Sequence, residues 1–146
     1  MISCDTNILF AALNADSSFH AEALGFLESH ADNSSFCICE QVLMEFYVLL
    51  RNPSVSKPVL SPADAVKVVY QYRNHPVWKR IDFPGNDVRL MDQIWRMASA
   101  KDFAYRRIFD ARLALTLRHH GVREFATRNA KDFQGFGFQK VWDPLT

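Results

Sequence analysis

Five polar side chains stand where apolar stretches end or helices begin, and four of them are carboxylates. Asp5 closes an apolar run that starts at the first residue, and Glu45 interrupts Val42-Leu43-Met44-Glu45-Phe46. Asp110 heads the segment Asp110-Ala111-Arg112-Leu113-Ala114-Leu115-Thr116-Leu117, and Asn129 and Asp132 follow Phe125-Ala126-Thr127. These residues come from well-separated sequence, yet a fold that aligns strand ends would bring them to one edge. Gathered carboxylates repel one another and destabilise the fold unless a cation neutralises them. Oxygen-donor sites with few protein ligands and open water positions suit Mg²⁺ or Mn²⁺. Metal held in that way commonly serves phosphoryl chemistry. Each acid also has a plainer reading. Asp5 and Asp110 suit helix N-termini, and Glu45 could form a structural ion pair with a base from distant sequence.

The elements that must position these groups alternate in type. A short strand ending at Asp5 passes into a helix through Leu13, broken at Asn14-Ala15-Asp16-Ser17-Ser18. Ser17 or Ser18 is expected to cap a second helix, with Phe19, Ala23, Phe26 and Leu27 on one stripe. Phe36-Cys37-Ile38-Cys39 reads as a buried strand, followed by a helix from about Glu40 to Leu50. The residues one turn from Glu45 are mostly apolar, so Glu45 should face inward or line a cavity. Ser61-Pro62 starts another helix, with Val66, Val69 and Tyr70 as its apolar stripe. A strand is expected near Lys79 to Phe83. The next helix spans about Asn86 to Ser99, burying Val88, Met91, Ile94, Trp95 and Ala98. Asp110 opens the following helix, which Gly121 ends as a left-handed residue. Phe125 to Thr127 forms a strand, and a last edge strand lies near Val141-Trp142. Alternating strands and helices call for a mostly parallel central sheet covered on both faces, a three-layer α/β/α architecture.

At 146 residues the chain is read as one domain, with 49% hydrophobic and 23% charged residues, the balance of an ordinary globular protein. No uncharged apolar run reaches the roughly 18 residues that a membrane span needs. The first residues do not show the basic and apolar regions of a secretory signal, and the three cysteines Cys4, Cys37 and Cys39 lack metal-site spacing. The expected location is the cytoplasm, away from membranes. The formal net charge of +1 hides an asymmetry: residues 1–50 carry seven acids and no Lys or Arg, and all 17 basic residues follow. An acidic region beside a basic one would suit a cation site next to a phosphate backbone.

Asp5-Thr6-Asn7 after the first strand, Glu45 in its apolar helix, Phe109-Asp110-Ala111 entering a helix, and Thr127-Arg128-Asn129-Ala130-Lys131-Asp132-Phe133 resemble the PIN-domain ribonucleases. More narrowly they resemble the VapC toxins of bacterial type II toxin–antitoxin pairs, in the same order over nearly the whole chain. The resemblance implies Mg²⁺- or Mn²⁺-dependent endonuclease cleavage of RNA by a metal-activated water, leaving 5′-phosphate and 3′-hydroxyl ends. It also implies a homodimer and a cognate VapB-type antitoxin. Carried over, Asp5 and Asp110 would be the principal metal ligands, and Glu45 a further ligand or a group that positions water. Asn129 falls where many members have a fourth acid, and Asp132 would supply that charge instead. Thr6 and Thr127 would orient carboxylates or water through their hydroxyls. Arg112, Arg128 and Lys131, with Arg106 and Arg107, are candidates for the RNA backbone. Two readings compete with the toxin. One is a catalytically silent PIN-like module that binds RNA or protein, prompted by the neutral Asn129. The other is a housekeeping RNA-processing nuclease. An aspartyl-phosphate hydrolase fits poorly, because Asn7 stands where a second Asp would be needed.

Overall fold

A computed structural model describes all residues 1–146 and shows a five-stranded, all-parallel sheet in the order β3-β2-β1-β4-β5. The strands are β1 (Ile2–Cys4), β2 (Phe36–Cys39), β3 (Lys79–Ile81), β4 (Glu124–Ala126) and β5 (Lys140–Trp142). β1 is central, pairing with β2 on one side and β4 on the other. Its three residues are buried, as expected of a strand covered on both faces. Between β1 and β2 lie α1 (Thr6–Leu13) and α2 (His20–Ser29), and between β2 and β3 lie α3 (Glu40–Arg51) and α4 (Pro62–Arg73). The helices α5 (Val88–Ala98) and α6 (Arg107–His119) carry the chain from β3 back across to β4.

Right-handed crossovers fix the layers. The chain steps outward from β1 to β3 and then reverses, so α1 to α4 cover one face and α5 and α6 the other. Packing follows this division, with α1 against α2 and α3, α3 against α4, and α5 against α6. The reversal leaves a topological switch point between β1 and β4, where the loops at the strands' carboxyl ends part and open a crevice. A 3₁₀ turn (Ala130–Phe133) follows β4. The core is built from β-strand residues such as Phe36, Ile38 and Phe125, with Ile8, Leu9, Phe46, Ile94, Leu113 and Leu117 from the helices.

Local chemistry accounts for most boundaries. Ser61 accepts a hydrogen bond from the Asp64 amide, and Pro62 occupies the first turn of α4. Gly121 has φ +86. Its amide donates to the Arg118 carbonyl and the Val122 amide donates to the Leu117 carbonyl, the Schellman pattern that closes α6. Three expectations need correction. α2 is capped by Phe19 with no side-chain acceptor; the Ser17 hydroxyl instead accepts from the Phe19 amide just before it. On α4, Val66 and Tyr70 are exposed while Ala65 is the buried residue, with Val68 and Tyr72 packed on the core. On α5, Val88 and Trp95 point to solvent, and Leu90, Met91, Ile94 and Met97 meet the core. No helix is long and apolar enough to cross a membrane.

Candidate functional site

Asp5 follows directly on β1, and its backbone amide donates to the Ala126 carbonyl, continuing the ladder to β4 for one more step. The side chain is buried at the switch point. One carboxylate oxygen accepts from the Thr6 amide at 2.8 Å and so caps α1. The other accepts from the Thr127 hydroxyl at 2.6 Å. Capping and display in the crevice, alternative readings of this aspartate, are thus both true. Thr127 follows β4, is fully buried, and its hydroxyl also accepts from the Asn129 amide at 3.0 Å. One hydroxyl therefore fixes both a carboxylate and the loop carrying the neighbouring amide side chain.

Thr6 performs the matching task on the other side. Its hydroxyl lies 3.1 Å from a Glu45 carboxylate oxygen and 3.2 Å from the Val42 carbonyl. Glu45 does not face the core. It is exposed by surface area, on the side of α3 that borders the crevice, between exposed Met44 and Val48. Enough protein surrounds its carboxyl that desolvation still raises its pKa, with Asp5 adding to the rise and the Thr6 hydroxyl opposing it. Of the two placements open for Glu45, the cavity wall is the one found, and no basic side chain pairs with it.

Asp110 sits in the first turn of α6, half-buried. Together with Asp5, Thr6, Asn7, Glu45 and Asn129 it lines a cleft of about 370 Å³ whose apolar wall includes Val48 and Phe133. Desolvation is the largest cause of its raised pKa, followed by repulsion from Asp5, Asp132 and Glu45, which together lift it from 3.8 to about 6 despite nearby Arg107. Asp5 is raised as well, first by burial and further by Asp132, against the two hydrogen bonds it accepts. Asp132 is exposed on the 3₁₀ turn and is felt as charge; it does not line the cleft itself.

No three His, Cys, Asp or Glu side chains converge tightly enough to form a closed metal cage. The donor set nevertheless fits a hard dication. Mg²⁺ keeps several waters and takes only one or two carboxylates directly. Here two aspartates, a glutamate and an amide side chain line a single cleft, and each aspartate is raised by burial and further by its neighbours' charge. A divalent ion would relieve that repulsion.

The cationic candidates are distributed unevenly. Lys131 is exposed on the turn that carries Asn129. Arg112 lies beyond Glu45, hydrogen-bonded to Gln41 at 3.2 Å and 4.5 Å over the Phe83 ring. Arg128 is committed elsewhere: it pairs with Asp143 at 3.3 Å and lies 3.8 Å over Phe19. Arg106 and Arg107 lie against Tyr105 and Phe136 respectively. Asn7 carries a role that the spacing of acids did not signal. Its side-chain oxygen accepts from the Arg128 amide at 3.3 Å, pinning the loop after β4 to α1. Its place in Asp5-Thr6-Asn7 was the only hint.

Comparison with known proteins places this geometry among relatives. Residues 2–138 match the PIN domain family. The whole chain is 47% identical over 146 residues to Ribonuclease VapC24 of Mycobacterium tuberculosis, covering 98% of that protein. Among solved structures, VapC20 of Mycobacterium tuberculosis, described as a sarcin-ricin loop cleaving toxin, superposes with a TM-score of 0.69 at 20% identity, over 94% of this chain and 96% of that one. VapBC2 of Rickettsia felis, solved with a DNA fragment from its promoter, gives a TM-score of 0.66 at 20% identity, over 97% of each chain.

Proposed function

This chain belongs to the PIN-domain family, as a ribonuclease of the VapC kind, and from that premise we propose that it is a Mg²⁺- or Mn²⁺-dependent endoribonuclease, the toxin of a type II toxin–antitoxin pair. One observation carries the reading: Asp5, Glu45, Asp110 and Asn129 line a single cleft at the switch point of a parallel sheet. Asp5 and Asp110 are the principal ligands in this proposal. Glu45 is a third ligand or orients a water, and Asn129 offers its amide oxygen. Asp132 adds negative charge from outside the cleft. When bound, the cation supplies Lewis-acid activation of water and a clamp for phosphate oxygens.

The chain's own residues do the positioning. Thr127 holds the Asp5 carboxylate from β4 and Thr6 holds Glu45 from α1, so neither acid needs to be ordered when RNA arrives. Asn7 keeps the loop bearing Asn129 against α1. Lys131 and Arg112 flank the cleft as contacts for RNA, while Arg128 could reach a phosphate only by releasing Asp143. With water as the nucleophile and the 3′-oxygen as the leaving group, the ribose 2′-hydroxyl takes no part, so the products carry 5′-phosphate and 3′-hydroxyl ends. A VapB-type antitoxin as partner, a homodimer and a cytoplasmic location complete the proposal. The Rickettsia felis neighbour, a toxin solved with its antitoxin, supports the partner.

The test is cleavage of a mixed structured RNA pool with Mg²⁺, with Mn²⁺ and with EDTA, alongside Asp5→Asn and Asp110→Asn variants checked for folding by circular dichroism. Metal-dependent cleavage that both folded variants lose supports the nuclease. RNA binding without cleavage under any metal favours a silent binding module, the reading that the neutral Asn129 motivates. Cleavage that survives EDTA and leaves cyclic phosphates refutes the mechanism. A small antitoxin reading frame beside the gene separates a toxin from a housekeeping nuclease.

A further inference from the structure

A second cavity, of about 520 Å³, adjoins the carboxylate cleft and shares Glu45 and Val48 with it. It sits at the carboxyl ends of β2 and β3, one step along the sheet edge from the switch point, and Gln41, Met44, Asp82, Phe109 and Arg112 complete its lining. Its chemistry is unlike that of the cleft. Phe109, immediately before Asp110 in sequence, is 63% exposed, an unusual position for a phenylalanine. Asp82 and Arg112 both face the space, and neither is in an ion pair.

The polar groups are held in place. Gln41 donates to the Phe109 carbonyl at 3.0 Å and accepts from an Arg112 N–H at 3.2 Å, joining the aromatic wall to the guanidinium. The Phe83 ring supports the other side of Arg112 at 4.5 Å. One Asp82 carboxylate oxygen accepts from the Phe83 amide at 2.7 Å, and His120 lies 2.8 Å from the Asp82 carbonyl. Four of the five N–H donors of Arg112 remain, and on Asp82 one carboxylate oxygen and the second lone pair of the other are left to meet a ligand.

We infer that this cavity is a nucleobase subsite for the nucleotide beside the scissile phosphate, and that the base it takes is guanine. The inference rests on the nuclease reading above and specifies its substrate. RNA is read in single strands by stacking on aromatic side chains and by hydrogen bonds to base edges. Phe109 supplies the stacking face. A carboxylate accepts from the N1–H and N2 amino group of guanine, and a guanidinium donates to its O6 and N7. No other base presents both pairs: adenine has neither the N1–H and N2 amino donors nor O6, and cytosine and uracil have no N7. Sharing Glu45 with the cleft places the base one nucleotide's reach from the metal-binding carboxylates.

The test uses short single-stranded RNAs that differ only at one nucleotide, with G, A, C, U or inosine on either side of the cut. Cleavage in Mn²⁺ is measured for the wild type, Asp82→Asn and Arg112→Gln. In parallel, binding of the fluorescently labelled G and A oligonucleotides to Asp5→Asn is measured in EDTA, with and without Asp82→Asn. The wild type is expected to favour G over A at one of the two positions by about tenfold or more, since a good bidentate contact discriminates at that level. Inosine, lacking the N2 amino group, falls between them. Asp82→Asn and Arg112→Gln are each expected to reduce the G-to-A ratio severalfold, Asp82→Asn in both assays. Equal cleavage whatever the flanking base, or a ratio that Asp82→Asn and Arg112→Gln leave intact, overturns the subsite while leaving the nuclease standing. That result would also be obtained if the cavity receives a side chain of a protein partner. No metal-dependent cleavage of any RNA, with no base-dependent binding, overturns both readings together.

Discussion

Replacing Asp110 by asparagine should stabilise the metal-free protein at neutral pH while abolishing cleavage. Burial and three nearby acids lift Asp110 from 3.8 to about 6. A carboxyl whose pKa is raised by folding binds its proton more tightly in the folded chain than in the unfolded one. Its ionisation therefore opposes folding: the penalty is absent below about 4, grows through the window up to about 6, and is complete above it. About two pH units would correspond to roughly 3 kcal/mol at 1.36 kcal/mol each. Asp110 is only half-buried, and screening by solvent reduces that figure to about 1 kcal/mol. For a chain of this size 1 kcal/mol moves the melting temperature by about 2–4 °C.

The assay is thermal unfolding in EDTA at pH 7.5, 6 and 5 for the wild type and Asp110→Asn. The comparison must be a difference between the two proteins, because His30 and His75 have pKa values lowered by burial and lose stability on protonation as the pH falls. Those contributions cancel in the difference. The variant is expected to melt a few degrees higher than the wild type at pH 7.5, and the gap should close towards pH 5. A variant that is less stable than the wild type at pH 7.5, or a gap independent of pH, would refute the claim that burial and the neighbouring acids disfavour ionised Asp110 in the absence of metal.

Thr127→Val keeps the shape of the side chain but removes the hydroxyl that donates to Asp5 and accepts from the Asn129 amide. With partners left unmet in a buried place, a loss of about 1–3 kcal/mol is expected in urea unfolding, and Thr127→Ser should recover most of it. Mn²⁺ at about a hundred times its dissociation constant should stabilise the wild type by about 2.7 kcal/mol, read as a rise in melting temperature, and Asp5→Asn should respond far less. Gly121→Ala should cost about 1–2 kcal/mol, because the residue is held at φ +86. A methyl there would meet only the Met1 sulfur at 3.8 Å, so the loss in chemical denaturation would report backbone conformation rather than a clash.

How far the sequence revealed this molecule depends on whether the signal was local. The end of β1 was readable because an apolar run from the first residue stops at a charged side chain, and a strand buried on both faces has no other way to look. Asp5, Thr127 and Asn129 then follow from topology alone: residues that end central parallel strands meet at the switch point. Glu45 was harder. Helical periodicity shows that α3 is apolar on more than one side, with Val42, Leu43 and Phe46 buried but Met44 and Val48 exposed. It cannot say which side meets the sheet. The same ambiguity misassigned Val66 and Tyr70 on α4, and Val88 and Trp95 on α5. Arg128 was illegible for a different reason: its partner Asp143 arrives from beyond the last strand, and no spacing rule links them. On α3 the exposed apolar residues Met44 and Val48 wall the cavities beside the carboxylates. An enzyme that must hold an RNA strand next to a charged centre needs exposed apolar surface there, and in sequence such surface cannot be distinguished from a core.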